Sequence, residues 1–333
     1  SPYLRSRFIS EEEILKIAIS KNNIKNIEKF IEEIFWRTYW RGWLESHPWI
    51  YNEYVSKSKN QQFPKKTGIK CFDYWKEELL DTGYLHNHSR MWFASIWIFT
   101  LGYSWQSGAK FFEKNLLDFC PASNTLGWRW VAGLQTINKP YLAMPENIKY
   151  FTKGRFDPNG QLNEHINLNY NDQKNNNALQ FTGPKKVKFR NIDKLGIILN
   201  KNDLTLNHIF ENKQISYDCC VFLSKHENKL INQFNKNIIQ DILKNNKNFD
   251  FTENYNQVIN WLINKKIKHL ILPYETVGNN IMYNEKFKNK LKDLNISYNF
   301  FLRDWDRNAF PFATKGFFKF KKNIPDLIDL VDI

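Results

Sequence analysis

The sequence predicts two halves of different architecture: an all-helical first half, then a small α/β second half with a mainly parallel sheet. Three observations carry this. Through residue 135 apolar residues recur at three- and four-residue spacing, without strand-like alternation. Beyond an Asn-rich stretch, short apolar runs alternate with helical patterns, as in a sheet covered on both faces. The length, 333 residues, suits two domains.

The elements follow in order. Ser10 and Glu13 form a capping box ahead of Ile14 and Leu15 and open the first helix. A second helix is predicted over 26–44, with Glu33, Trp36, Arg37 and Trp40 on one face. A polar loop at 56–66 precedes helices over 72–81, 84–101, 105–118 and 122–135, punctuated by Gly68, Gly83, Gly102 and Gly108. The longest apolar stretch, 91–101, is too short to span a membrane and reads as a buried helix. Residues 163–179 read as a linker. Strands are predicted at 195–199, 219–223, 269–272 and 297–302, with helices at 227–245, 255–265 and 284–294 between them. The expected domains are a helical one over 1–165, an Asn/Lys-rich linker over 166–190 and a Rossmann-like α/β one over 191–333. Neither GxGxxG nor GxxxxGK[ST] occurs, so nucleotide binding in the second half has no motif behind it.

Composition narrows the function. A net charge of +14 favours phosphate-bearing partners, although Lys and Asn are abundant throughout. Of twelve Trp, ten precede residue 131, which suggests stacking, electron relay or simply a Trp-rich helical core. Cys71, Cys120, Cys219 and Cys220 form no CxxC pair and point to a reducing compartment, taken as cytoplasmic. The histidines lack metal-ligand spacing, so no metal site is expected. No signal peptide is read, and the start at Ser1 without Met suggests a processed or partial product.

Two places carry chemistry. On the helix after Tyr84, Asn87, Arg90, Met91 and Ala94 share a face, and an Arg among apolar residues needs a partner. Asp118 is the candidate; the pair is either structural or placed to hydrogen-bond the polar edge of a flavin ring. Asn124 and Trp128, four apart, stack on one helix face. The amide could meet a flavin N5 and the indole could donate an electron, with Trp105 behind it; two Trp alone also fit a plain core. Glu33 either faces a pocket or pairs with Arg37 one turn on.

TGYLHNHSRMWFAS at 82–95, WQSGAKFF at 105–112 and LLDFCPASNTLGW at 116–128 together resemble the flavin-binding domain of the photolyase/cryptochrome family. FWRTYWR at 35–41 is similar to that family's helix at the cofactor mouth, SPYL at 1–4 to the end of its phosphate loop, and KGRFDPNG at 153–160 to the domain's end. The resemblance implies FAD as cofactor, with Ser1, Phe30, Arg37, Asn87, Arg90, Asp118, Phe119, Cys120 and Asn124 around it. It implies Trp128 then Trp105 as an electron relay. It implies blue-light-driven splitting of cyclobutane pyrimidine dimers in single- or double-stranded DNA by a monomer. Glu33 would hydrogen-bond the dimer, and Trp36, Trp40, Asn87, His88, Met91 and Trp130 would contact DNA. A dimer entering such a pocket leaves the helix by base flipping, for which the handling of photolyase substrates is itself the standard example. The alternatives are a light sensor without repair and a nucleic-acid-binding relative.

The pattern departs in places. The outer member of the Trp relay has no counterpart; Tyr51, Tyr54 or Trp97 could substitute. Cys120 replaces a common acidic residue, His88 a common Arg, Thr38 a Glu, and Arg7 a Gly after the phosphate loop. Asn87 stands where a second histidine for (6-4) lesions would be, which favours cyclobutane dimers. LGIILNKNDL at 195–204 faintly resembles the first strand of the family's antenna domain, here placed after the flavin domain. PFATKGFFKF at 311–320 either binds nucleic acid or docks on the helical half, and four Phe in ten residues favour docking.

Overall fold

In the computed structural model the described residues are 1–58, 64–166, 168, 177–186, 193–211, 215–279 and 284–330. Much of the expected linker therefore lies outside them. The helices are α1 (Pro2–Arg5), α2 (Glu11–Lys21), α3 (Ile24–Ser46), α4 (Pro48–Lys57), α5 (Lys70–Thr82), α6 (Asn87–Ser95), α7 (Trp105–Asn115), α8 (Pro121–Val131) and α9 (Pro145–Phe151). The second half runs β1 (Leu195–Leu199), α10 (His208–Glu211), β2 (Tyr217–Phe222), α11 (Lys229–Asn245), β3 (Asp250–Thr252) and α12 (Tyr255–Asn264). It continues through β4 (His269–Pro273), α13 (Glu285–Asp293), β5 (Ser297–Phe301), α14 (Asp304–Ala309), α15 (Phe317–Lys321) and α16 (Ile324–Asp329).

The chain forms two compact units, Ser1–Pro48 with Ala178–Ile333, and Trp49–Asn177. This division differs from the sequence expectation, which grouped residues 1–165. The reason is visible inside the first unit. The face of α3 formed by Ile31, Ile34, Phe35 and Tyr39 packs with Trp305, Phe317, Phe320 and Leu327 from the chain's end. Such partners are remote in sequence, so periodicity shows that α3 has an apolar face but not what covers it.

The first unit's sheet has order β3-β2-β1-β4-β5, every pairing parallel. All five β1 residues are buried, because helices cover both faces of a parallel sheet. Helix α2 begins with the capping box: Ser10 Oγ accepts from Glu13 N, and Ser10 N donates to Glu13 Oε2. Just before it, Arg7 occupies the left-handed region at φ 52, where glycine is the unstrained choice. Ion pairs hold it there: Arg7 Nε is 2.9 Å from Glu11 and Nη2 is 2.7 Å from Asp306. Arg41 reaches Asp306 at 3.0 Å, and Arg303 grips Asp203 at 2.5 Å. Against the upward push of burial, Arg7 and Arg41 hold the Glu11 and Asp306 carboxyls below their ordinary values.

The second unit is helical, built on Phe72, Trp75, Leu79, Trp92, Phe93, Trp97, Phe112, Leu126 and Trp128, all buried. Helix α5 stops at Gly83, in the left-handed conformation at φ 69, whose N–H donates to Leu79 O. The expected single helix over 84–101 is α6 running into a π-helical turn at Ile96–Thr100. Five-residue bonding there, Leu101 N to Ile96 O, turns Trp97 inward and ends the helix before Gly102.

Candidate functional site

Within the second unit, α6, α7 and α8 bring several predicted residues into one neighbourhood. Arg90 Nη2 lies 3.0 Å from Asp118 Oδ2, while Arg90 Nε donates to Leu85 O at 2.8 Å. Its guanidinium also sits over the Tyr84 ring at 5.2 Å. The Arg90 side chain remains about a quarter exposed, so the pair is no sealed core bridge. Asn87 opens α6 as its first residue and is exposed; Met91 is half-buried. His88 stacks on Trp92 at 5.5 Å and tilts against Phe151 at 4.9 Å.

Helix α8 starts at Pro121 after Cys120, whose side chain makes no capping bond. Cys120 is buried, and Phe119 packs against the surrounding apolar cluster. Asn124 is buried and its Nδ2 donates to Ala109 O at 2.9 Å. That bond fixes the amide's orientation, because a carbonyl can only accept, and it leaves Oδ1 to act as an acceptor. One turn on, Trp128 lies against Gly108 and meets Trp97 and Phe112 edge-on, at 6.2 and 5.1 Å. Buried Trp128 Nε1 and Thr125 Oγ1 have no partner among the described residues. Trp105 heads α7 and is buried beside the Arg129 guanidinium, 5.8 Å over its ring. Trp130 stacks on Tyr141 at 5.3 Å.

The remaining predicted residues stand in the first unit. Ser1 stands at the N-cap position of α1, so Pro2, Tyr3 and Leu4 belong to a helical turn rather than an open loop. Phe30 and Glu33 are exposed on α3. Arg37 turns away from Glu33, forming an ion pair with Glu11 and donating to Arg5 O at 2.9 Å. Of the two alternatives read for Glu33, the one-turn pairing with Arg37 is thus not formed: Arg37 joins Arg7 on Glu11, a fully buried carboxylate that needs counter-charge. Trp36 is half-buried and one of its faces is already covered: Phe317 stacks on it at 3.6 Å, interplanar angle 12°. Trp40 tilts against Trp36 and Tyr39.

Sequence reasoning missed three features. Phe317 on Trp36 was foreshadowed only by the Phe-rich stretch. Arg129 over Trp105 carried no signal beyond its place next to Trp128. Tyr54, whose hydroxyl donates to Glu113 at 2.8 Å, had been one of three options and Glu113 none. Among the described residues no group of His, Cys, Asp or Glu is placed to hold a metal, and no helix is long and apolar enough to cross a membrane.

Residues 30–165 match the family model described as the FAD binding domain of DNA photolyase. The deoxyribodipyrimidine photo-lyase of Alkalihalophilus pseudofirmus is 28% identical over 177 residues, covering 48% of this chain and 36% of the relative. That of Escherichia coli is 27% identical over 147 residues, covering 40% of this chain and 30% of the relative. Cryptochrome-1 of Arabidopsis thaliana is 31% identical over 120 residues, covering 36% of this chain and 17% of the relative. The chain thus spans about a third or less of the length of these curated relatives. No solved structure matches.

Proposed function

Over residues 30–165 the chain carries the FAD-binding domain of the photolyase/cryptochrome family, and from that premise we propose that it binds FAD and splits cyclobutane pyrimidine dimers in DNA under blue light. The observation that carries the reading is Asn124, a buried amide whose Nδ2 is committed to Ala109 O and whose Oδ1 remains an acceptor. An acceptor there suits a protonated ring nitrogen. The Arg90–Asp118 pair supplies a charge-assisted edge for the polar side of the same ring. When bound, FAD supplies the photochemically driven electron transfer. The chain's own residues do the rest. Asn124 holds one ring position through a hydrogen bond. Trp128, one turn along, stands as the nearest electron donor, and Trp105 backs it. Lys and Arg in excess over acidic residues attract the phosphate backbone without reading sequence.

The test is direct. Purified protein is expected to retain or take up FAD and, once reduced, to split thymine dimers in an oligonucleotide under blue light. A flavoprotein that leaves dimers intact after illumination sinks the repair reading.

A second reading, a light sensor without repair, rests on one observation. The Trp36 face expected to stack on a lesion is occupied by Phe317. Equal affinity for dimer-containing and undamaged DNA would decide for the sensor.

A further inference from the structure

The relay implied by Trp128 and Trp105 lacks an outer tryptophan, and the second unit offers something different at that place. Tyr54 stacks on Trp105, ring centroids 5.7 Å apart at 24°. Its hydroxyl donates to Glu113 Oε2 at 2.8 Å. The other carboxylate oxygen is held by Lys110 at 2.7 Å, which fixes the group's orientation. Tyr51 follows outward, 5.7 Å from Tyr54 and half-buried, whereas Tyr54 is 1% exposed.

We propose that Tyr54, with Glu113 as its proton acceptor, is the terminal electron donor of this chain, a role that rests on the flavin reading above. The step balances. An oxidised Trp105 cation radical takes one electron from the Tyr54 ring. The phenolic O–H bond breaks and its proton passes to Glu113 Oε2. Trp105 returns to its neutral closed-shell form, and a neutral tyrosyl radical remains on Tyr54.

Charge drives the step outward. The Arg129 guanidinium sits 5.8 Å over Trp105, is 6% exposed, and disfavours a second positive charge on that ring. A neutral tyrosyl radical carries no such penalty. Burial and the neighbouring Glu113 carboxylate push the Tyr54 hydroxyl far above the ordinary phenol value, so the proton does not leave ahead of the electron. Trp97 is the rival exit, edge-on to Trp128 at 6.2 Å. Its indole N–H donates to Ser104 O and Ser107 Oγ, and neither accepts a proton at ordinary pH.

The experiment is a blue flash on the FAD-loaded protein, followed by transient absorption and electron paramagnetic resonance, with ring-deuterated tyrosine to assign the signal. Wild type is expected to give a neutral tyrosyl radical that forms more slowly in deuterated water. Tyr54→Phe keeps the stacked ring and is expected to stop at a tryptophan radical. Glu113→Gln is expected to slow tyrosyl formation while keeping the stack. Tryptophan radicals alone in wild type, or a tyrosyl radical that survives Tyr54→Phe, overturn the assignment. A protein that takes up no flavin is recognised in its dark spectrum, before any flash, and overturns the cofactor reading together with this donor.

Discussion

Adding one methyl group at Gly108 tests the packing on which the relay depends. A Cβ there would lie 2.3 Å from Trp128 Cη2 and 2.4 Å from Cζ3. The indole rim would have to back off by about 1 Å to regain ordinary carbon–carbon contact. It has little room, being 3% exposed and wedged edge-on against Trp97 and Phe112. Overpacking of this kind costs about 1–3 kcal/mol. Alanine's better helix propensity returns up to about 1 kcal/mol. Because the ring has so little room, the cost falls at the upper end of that range, and the net expectation for Gly108→Ala is a loss of about 2 kcal/mol. Gly127 in α8 is the control, with ordinary helical space and nothing within 4 Å of a built Cβ. Gly127→Ala should gain about 0.5–1 kcal/mol. Urea unfolding followed by Trp fluorescence compares the midpoints, and the variants should move in opposite directions. A Gly108→Ala protein that unfolds at or above the wild-type midpoint refutes the packing argument.

Other expectations follow from the same geometry. Trp128→Phe should retain FAD but lose its photoreduction, read as bleaching of the flavin band under blue light with a thiol; unchanged bleaching would exclude Trp128 as the nearest donor. Phe317→Ala uncovers a face of Trp36 and removes a buried ring, so it should cost about 3–5 kcal/mol and redden Trp emission; an unmoved unfolding midpoint contradicts the stack. The pH dependence has two opposed parts. Burial raises the Glu12 and Glu45 carboxyls, so the native state binds protons first and stability should rise slightly as pH falls from neutral towards about 5. Glu11 and Asp306 are held low, so their contribution is present above the unfolded carboxyl values, about 4, and is lost as pH falls below them. Asp306→Asn should flatten that acid limb in a melting series; an unchanged limb would place its origin elsewhere.

Much of the fold was legible because local signals and tertiary outcome agree. The Ser10–Glu13 capping box and Gly83 both act within a few residues, and α2 begins and α5 ends at them. Strands β1, β2 and β4 appeared as apolar runs because they are buried along most of their length, whereas β5, an edge strand with no fully buried residue, showed only through its aromatic residues. β3 escaped notice: it is a three-residue edge strand with only Thr252 buried. α4 and α9 also went unread: each opens on a proline, α4 directly after His47, the one residue between it and α3, and α9 after Met144, which makes no side-chain cap. At the site, Arg90 and Asp118 could be paired because a charge on an apolar face needs a counterion; Asp118 itself lies in the turn between α7 and α8, past the end of the helix at Asn115. The partners of Arg37, Trp36 and Tyr54 could not be read, since Glu11, Phe317 and Glu113 arrive from other elements and sequence spacing does not encode those meetings.

The absorption spectrum of the purified protein, recorded with added FAD in the dark and after blue light with a reductant, bears on the central claim most directly. Asn124 and the Arg90–Asp118 pair predict a flavin band that stays with the protein through gel filtration and bleaches on illumination. A colourless protein that binds no FAD, with Asn124→Ala no different from wild type, would contradict it.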